Sequence, residues 1–470
     1  MKNKKNLFVD LDGSLMKGDL LYESFFNFLS NDILAPIKCL AILIKFGLVE
    51  LKSFLYKNSF LNIKNLPIDR DVLKFIENWK TKNNGDVVLI SASHELYVQD
   101  IAKHINIFDA CYGSSNNNLK STQKLKTINN HSQEIPFDYV GNSIDDLAIW
   151  EYASNPILVN PSNYVKNKVK KLKKNFIIIS NKKSLFYNLF KLIRAHQWIK
   201  NMLLFLPMVL SMSFSLDLFV KTLMGFVSFS LIASAFYVFN DLLDIESDRK
   251  HITKKFRPLA SGQVNIISSV LCFLTFIAVS VSISFYLSQT FQAALFFYAC
   301  LTFIYSKWLK KIPVVDIIIL ASFYVVRILS GSAISGLEVS NWLITFSMFF
   351  FLFLASVKRW IEIEKSTDEL ISARGYFRKD LNFITQLSFF CGLISVLILC
   401  LYIDSQQASL IYSNHRVLWF VPMIFLYWIV ETLFLVSRNK VNDDPVVYAL
   451  KSKTSYICAI FLISIFYFAS

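Results

Sequence analysis

Residues Asn240–Gly262 read NDLLDIESDRKHITKKFRPLASG, a polar, doubly charged segment set between two long apolar runs. Asn240, Asp241, Asp244 and Asp248 fall at i, i+1, i+4 and i+8. On a single helix these positions cover roughly a quarter of the circumference, so four side-chain oxygens are expected to face one point. Carboxylates set that close repel unless a cation lies between them. Hard oxygen donors in this number suit Mg²⁺, which normally arrives with the phosphates of a substrate. Arg249, Lys250, Lys254, Lys255 and Arg257 follow, and cations so placed suit the remaining charge of those phosphates. The plainer reading is a solvated loop whose charges record only membrane topology. The carboxylate spacing, at the edge of an apolar run, argues against it.

The 470 residues are enough for two or three domains. The chain is 54% hydrophobic with 44 Phe, yet its first part is polar enough to be soluble. A net charge of +15 implies anionic partners, and in so apolar a chain most of it is expected to reflect the positive-inside bias of membrane proteins. The basic run Lys166–Lys174 has no interleaved aromatics and reads as a solvated helix face near anionic lipid, so no nucleic-acid partner is expected. Seven scattered cysteines without a C-x-x-C pair exclude a disulfide framework and a zinc site. The start, MKNKKNLFVDLDGS, reads as a strand with an apolar part too short for a signal peptide, so the N-terminus is expected in the cytoplasm.

Leu7–Ser14 (LFVDLDGS) is a short apolar strand ending in D-x-D-G. Val87–Ser91 (VVLIS) is a second buried strand ending in a hydroxyl, Asn118–Lys120 supplies a lysine with Lys124 as an alternative, and Tyr139–Asp146 reads YVGNSIDD. These four motifs, in this order, resemble those of the haloacid dehalogenase (HAD) superfamily. The resemblance implies that Asp10 is the nucleophile that takes up a phosphoryl group and Asp12 the general acid and base. It also implies that Ser91 and Lys120 hold the phosphate, and that Asp10, Asp12, Asn142 and Asp146 bind Mg²⁺. One departure is G-N-S-x-x-D for the usual G-D-S-x-x-D: Asn142 removes a negative charge, which Asp146 with Asp145 beside it is expected to offset. A fold that binds without turnover is the competing expectation. Alternating strands and helices predict an α/β, Rossmannoid HAD-like domain over 1–185, with a helical cap over about 20–75. Within the cap, Ile33–Leu51 is apolar but interrupted by Pro36, Lys38 and Lys45, and reads as a cap helix leaning on the membrane rather than as a span.

From 186 to 470 apolar runs recur near 192–213, 217–239, 264–287, 289–305, 313–334, 341–357, 382–403, 416–437 and 453–470, predicting an all-α, polytopic membrane domain of about nine transmembrane helices. Basic residues concentrate in the loops after the second, fourth, sixth and eighth runs. Those loops, with the HAD-like domain, are therefore expected on the cytoplasmic side of an inner membrane. Polar clusters gather on the same side. Arg194, Gln197 and Asn201, in RAHQWIKN with Lys200, are expected to share a helical face. YSKWLKKIPVVD carries Lys307 and a single Asp316; Arg327 lies eleven residues further on, well inside a run. A charge there costs at least ~2.5–3.5 kcal/mol unless it faces a cavity or a partner, and Glu431 is a candidate partner. Lys358, Arg359 and Glu362 (KRWIE) end the sixth run, and Asp443–Val446 (DDPV) lies in the last polar loop.

N-D-x-x-D-x-x-x-D followed by RPLASG resembles the first aspartate-rich motif of the UbiA superfamily of intramembrane prenyltransferases. HITKKFRPLASG, R-x-x-Q-W-x-K-N and K-R-x-x-E are most similar to the branch that includes decaprenyl-phosphate phosphoribosyltransferase. The resemblance implies Mg²⁺ on Asp241, Asp244 and Asp248. It implies substrate contacts from Arg194, Gln197, Lys200, Asn201, Asn240, Lys254, Arg257, Lys307, Asp316, Arg327, Lys358, Arg359 and Glu362. Asp316 stands alone where the family has a second aspartate-rich motif. The expected substrates are a diphosphate donor and a polyprenyl lipid within the bilayer, with phosphoribosyl diphosphate and a polyprenyl phosphate favoured by the number of cations. Prenyl transfer to an aromatic acceptor, and a transporter or scaffold with a degenerate HAD domain, are the alternatives. An ion pump is excluded, since it needs D-K-T-G-T between membrane segments.

Overall fold

The computed structural model describes residues 4–115, 117–172, 175–180, 185–251, 253–365, 370–371, 374–441, 445–449 and 451–469. Asp443 and Asp444 lie outside the described residues. The chain divides into two compact units, 1–195 with 237–275, and 196–236 with 276–470.

The first unit is built on a parallel sheet of β1 (Asn6–Asp10), β2 (Val87–His94), β3 (Ala110–Ser114), β4 (Phe137–Gly141), β5 (Pro156–Val159) and β6 (Ile177–Ile179), in the order β3-β2-β1-β4-β5-β6. Strand β1 is buried throughout, as an apolar run covered on both faces must be. It pairs with β2 (Leu7 opposite Val87) and with β4 (Leu7 opposite Asp138). The strand order reverses between β1 and β4, and in open α/β sheets ligands bind at such a switch point, beyond the carboxyl ends of the strands. Asp10 is the last residue of β1. Between β1 and β2 the chain forms α1 (Leu20–Asn31), α2 (Ala35–Asn58) and α3 (Arg70–Lys82). Helix α3 returns to the sheet, where Val72, Ile76 and Trp79 enter the core with Leu7 and Val9. The same unit holds a second apolar cluster of Phe26 from α1 with Leu192, Val238, Leu242, Ile245, Leu259, Val264 and Ile266.

The second unit is helical. Across the chain, and among the described residues, six helices are long and apolar enough to cross a membrane: Leu216–Leu243, Ile266–Ser284, Val315–Ser335, Asn341–Lys365, Arg378–Ile403 and His415–Ser437. The chain is a multi-pass membrane protein, but nine spans of that kind are not found among the described residues. The expected run at 192–213 is broken into a 3-10 helix, Ala195–Phe205, and a short helix, Leu206–Leu210, with Pro207 at its start. Gln289–Lys307 carries Gln289 and Gln292 in its first turn, and Lys453–Ala469 has 17 residues. Inside the unit, small residues allow close backbone approach. A Cβ on Gly331 would stand 2.2 Å from the carbonyl oxygen of Leu204, and Ser228 donates to the carbonyl of Ser280 at 2.9 Å.

Candidate active sites

The first centre lies at the carboxyl end of β1. Asp10 accepts from Ser14 Oγ at 3.0 Å and from Lys124 Nζ at 2.5 Å. Asp12 takes three donors: the Leu20 N–H at 2.8 Å, Ser91 Oγ at 2.9 Å and Ser93 Oγ at 2.7 Å. The Leu20 N–H belongs to the first turn of α1, where a backbone amide has no partner within the helix, and Asp12 takes it up. Burial pushes the Asp10 carboxyl up to about 7, against the pull of Lys124 and with a further push from Asp146. Burial alone would lower the Lys124 ammonium, but Asp10 and Asp146 override it and hold the group above its ordinary value.

Of the two lysines proposed from sequence, Lys124 therefore stands at Asp10, whereas Lys120 is exposed and pairs with Asp145 at 3.1 Å. Ser121, at φ +47°, precedes the helix Thr122–Ser132, and that helix turns Lys124 inward. The expected offset for Asn142 is also corrected. Asp145 is paired with Lys120, and both oxygens of Asp146 already accept hydrogen bonds. Its Oδ2 accepts the N–H groups of Asn142 and Ser143, both at 3.0 Å, and its Oδ1 accepts the Tyr139 hydroxyl at 2.6 Å. Asp146 thus holds the turn. The carboxamide of Asn142 lies against Gly13. This donor set does not fit a divalent ion as a ready trio.

Residues missed in the sequence complete the centre. Ser93, two positions beyond Ser91, faces the same way along the strand. Lys52 reaches in from α2, donating to the Ala92 carbonyl at 2.5 Å and to Asn118 Oδ1 at 2.8 Å. Burial lowers the Lys52 ammonium while Asp12 and Asp19 raise it. A cleft lined by Leu20, Ser24, Lys52, Leu55, Ser93 and Tyr97 opens beside Asp12.

The second centre is the aspartate-rich loop, also in the first unit. The expected single helix is interrupted: Leu216–Leu243 ends, Asp244 serves as the N-cap residue, and Ile245–Lys250 begins anew. The break sends Asp241 and Asp248 inward, at 2% and 4% exposure, and leaves Asn240 and Asp244 half-buried, paired at 3.1 Å. Arg257 Nη1 bridges Asp248 Oδ2 at 2.6 Å and Asp241 Oδ1 at 3.1 Å. Arg194, at φ +52° and stacked over Tyr237, donates to the same Asp241 oxygen. Burial pushes the Asp248 carboxyl up to about 6, opposed by Arg257 and Lys254 and reinforced by Asp241. The turn Arg257–Gly262 closes the loop: Ser261 Oγ donates to the Arg257 carbonyl at 2.8 Å, and Gly262 supplies φ +68°. Among the described residues no three His, Cys, Asp or Glu side chains gather tightly enough to hold a metal alone. Arg257 nevertheless occupies the place of a cation between two carboxylates, and oxygen-only donors fit Mg²⁺ when substrate oxygens complete its shell.

An unforeseen pair ties this loop to α1 of the same unit. Arg249 donates through Nη1 and Nη2 to both oxygens of Glu23 on α1, at 2.8 and 2.7 Å, and through Nε to the Ala260 carbonyl at 2.9 Å. Asn27 donates to Glu246 at 2.6 Å.

The remaining predicted residues lie in the second unit. Arg327, 4% exposed, donates to Asn201 Oδ1 at 2.7 Å, to Tyr298 Oη at 3.2 Å and to the Phe323 carbonyl. The rings of Phe229, Tyr298 and Tyr324 lie within 5.7 Å of its guanidinium. Neutral acceptors and aromatic faces thus take the place of the expected acid; Glu431 instead accepts from Thr454 at 2.9 Å. Asn201 also donates to Ser230 at 2.9 Å. Residues 195–205 wind as a 3-10 helix, so the common α-helical face expected for Arg194, Gln197 and Asn201 does not form. Lys200 is buried over Tyr324; Gln197, Lys307 and Lys358 are half-buried. Asp316, fully buried, accepts from Arg359 and from the Tyr376 hydroxyl, which in turn accepts from the Val314 N–H at 2.8 Å. Arg359 also donates to Glu362 and, at 3.3 Å, to Tyr305. Each of the three Arg359 nitrogens thus has a partner inside the protein.

A parallel α/β sheet with two aspartates at its switch point and a buried, arginine-bridged aspartate loop at the end of a candidate span are thus joined in one multi-pass membrane protein. The chain belongs to the UbiA prenyltransferase family, whose match covers residues 202–368. It is 31% identical to the uncharacterized protein y4nM of Sinorhizobium fredii, over 99% of this chain and 91% of that one. It is 34% identical to decaprenyl-phosphate phosphoribosyltransferase of Corynebacterium glutamicum, over 38% of this chain and 56% of the relative. Among solved structures, a UbiA homolog from Archaeoglobus fulgidus bound to DMAPP and Mg²⁺ aligns with TM-score 0.44 and 18% identity, over 60% of this chain and 98% of that one. A substrate-bound phosphoserine phosphatase aligns with TM-score 0.28 and 15% identity, over 38% and 94%.

Proposed function

We propose that this chain transfers a phosphoribosyl group from phosphoribosyl diphosphate to a polyprenyl phosphate, and that its HAD-like domain then removes the 5-phosphate from the product. The observation that carries the reading is the similarity to decaprenyl-phosphate phosphoribosyltransferase over 186 residues, a stretch of the relative that amounts to 56% of its length. The paired arginines on Asp241 support it, since guanidinium groups released from a carboxylate take a diphosphate bidentately.

In the transfer, the bond from ribose C1 to the diphosphate oxygen breaks and the diphosphate leaves with the electron pair. An oxygen of the lipid phosphate forms the new bond to C1. The acceptor is already anionic, so no base is required. Arg194, Arg257 and Lys254 bind the leaving diphosphate, and Asp241 and Asp248 keep those cations oriented until the donor arrives. Mg²⁺, when bound by the loop carboxylates, neutralises charge developing on the leaving group. In the HAD-like domain, Asp10 attacks the 5-phosphate, the bond to O5 breaks, and Asp12 supplies the proton that O5 takes up. Water then releases phosphate from Asp10, returning a proton to Asp12. Lys124 holds Asp10 in place. The basic loops support a cytoplasmic position for both centres in an inner membrane.

The test uses ribose-labelled phosphoribosyl diphosphate and a polyprenyl phosphate with purified protein and Mg²⁺, wild type against Asp241→Asn. Labelled lipid made by the wild type and reduced at least a hundredfold in the variant is expected; no labelled lipid from folded wild-type protein overturns the reading. The matched family is described as a prenyltransferase family, which supports prenyl transfer as the second reading.

A further inference from the structure

Helix α2 is bent at Gly47, which has φ +83° and no atom within 4 Å of where a Cβ would lie. The segment before the bend, 35–46, has two apolar sides. Ala35 and Cys39 are buried in a cluster with Phe28 of α1, and Ile42 packs against that cluster. The opposite side carries Ile37, Leu40 and Ile44, spaced three and four residues apart as one helical stripe, at 67%, 57% and 78% exposure, with Ile33 exposed in the turn just before the helix. A water-facing stripe on a packed helix is expected to be polar. Lys38 and Lys45, seven residues apart and both exposed, share one flank of the stripe.

What covers this stripe follows from α1. Phe26 of α1 shares an apolar cluster with Val238 and Leu242, the last turns of the candidate span Leu216–Leu243. Glu23 and Asn27 of α1 bind Arg249 and Glu246, just past that span. The α1–α2 hairpin is thus fastened at the level where a span leaves the bilayer. At 1.5 Å per residue the twelve residues before Gly47 reach roughly 18 Å, short of the ~30 Å hydrocarbon core. Such a segment lies in the interface plane, its apolar stripe among the acyl chains and its lysines at the headgroups.

We infer that residues 33–46 form an in-plane membrane anchor whose partner is the headgroup and upper acyl region of an anionic bilayer. The inference rests on exposure and packing and is independent of whether the HAD-like centre turns over. Beyond Gly47 the same helix carries Lys52 and Leu55 to the cleft beside Asp12, so the anchor holds that centre at bilayer level.

The test is photolabelling of the full-length protein in nanodiscs of phosphatidylcholine with phosphatidylglycerol, using a phospholipid with a diazirine high on its acyl chain, and mapping adducts by mass spectrometry. Helix Ile266–Ser284 is the labelled reference and α3 the unlabelled one. Adducts on Ile37, Leu40 and Ile44 within threefold of the span, and at least tenfold above α3, are the expected result. Adducts on 33–46 no more frequent than on α3 overturn the inference.

Discussion

Replacing Glu23 by glutamine is expected to loosen the aspartate-rich loop, although Arg249 lies 226 residues further along the chain. Both side chains are buried, at 3% and 6% exposure, and the contact is bidentate. Removing one partner of a buried pair leaves the other charge uncompensated and costs about 3–5 kcal/mol. Glutamine keeps one acceptor, so the lower end, about 3 kcal/mol, applies. At about 1.4 kcal/mol per factor of ten, the loop should open roughly a hundredfold more often. Hydrogen exchange followed by mass spectrometry reads this directly, because the amides of Asp248 and Gly262 are hydrogen-bonded within the loop, at 2.8 and 3.0 Å. Exchange across 245–262 should accelerate about a hundredfold while β1 and β2 are unchanged. The double variant Glu23→Leu, Arg249→Met should recover part of the loss, because two apolar residues leave no bare charge, although the Ala260 carbonyl loses its donor. A change below threefold in Glu23→Gln would refute the claim that α1 braces the loop.

Three further outcomes are expected. Asn142→Asp returns a carboxylate to the turn beside Asp10 and should raise Mg²⁺-stimulated hydrolysis of p-nitrophenyl phosphate at least tenfold; an unchanged rate would remove Asn142 as the weak point of that centre. Asp248 has its carboxyl pushed up to about 6, first by burial. The folded chain therefore keeps this proton between about pH 4, where the unfolded residue has lost it, and about pH 6. The group's contribution to stability falls as pH rises through that window, while the ionised form that orients Arg257 fills in. Transfer activity should rise through about pH 6 in the wild type and lose that limb in Asp248→Asn. Arg327→Met leaves Asn201 Oδ1 buried without the donor it now has and should cost about 1–3 kcal/mol, read as a lower unfolding midpoint in detergent.

The sequence revealed the chemistry of the centres better than their partners. The D-x-D at the end of an apolar strand placed Asp10 and Asp12, because strand register and burial are local properties. The choice between Lys120 and Lys124 turned on where the helix begins, and the left-handed Ser121 that sets this start has no compositional signal. The aspartate spacing pointed to one convergent helix, but Arg194 and Arg257 outweigh local periodicity and draw Asp241 and Asp248 in across a break at Asp244. Arg327 was legible as a buried charge, yet its partners are aromatic faces and an amide, which no sequence pattern marks as a site. The Glu23–Arg249 pair left one trace only, a carboxylate inside the apolar stretch LLYESFFNF.

The most direct measurement of the central claim offers the purified protein, in nanodiscs with Mg²⁺, both donor and acceptor pairs at once. These are isotopically labelled phosphoribosyl diphosphate with a polyprenyl phosphate, and a polyprenyl diphosphate with an aromatic acceptor. The lipid products are then weighed by mass spectrometry. The account predicts that the polyprenyl phosphate gains a labelled phosphoribosyl group, or a ribosyl group once the HAD-like domain has acted. A prenylated aromatic product, with no label on the lipid phosphate, would contradict it.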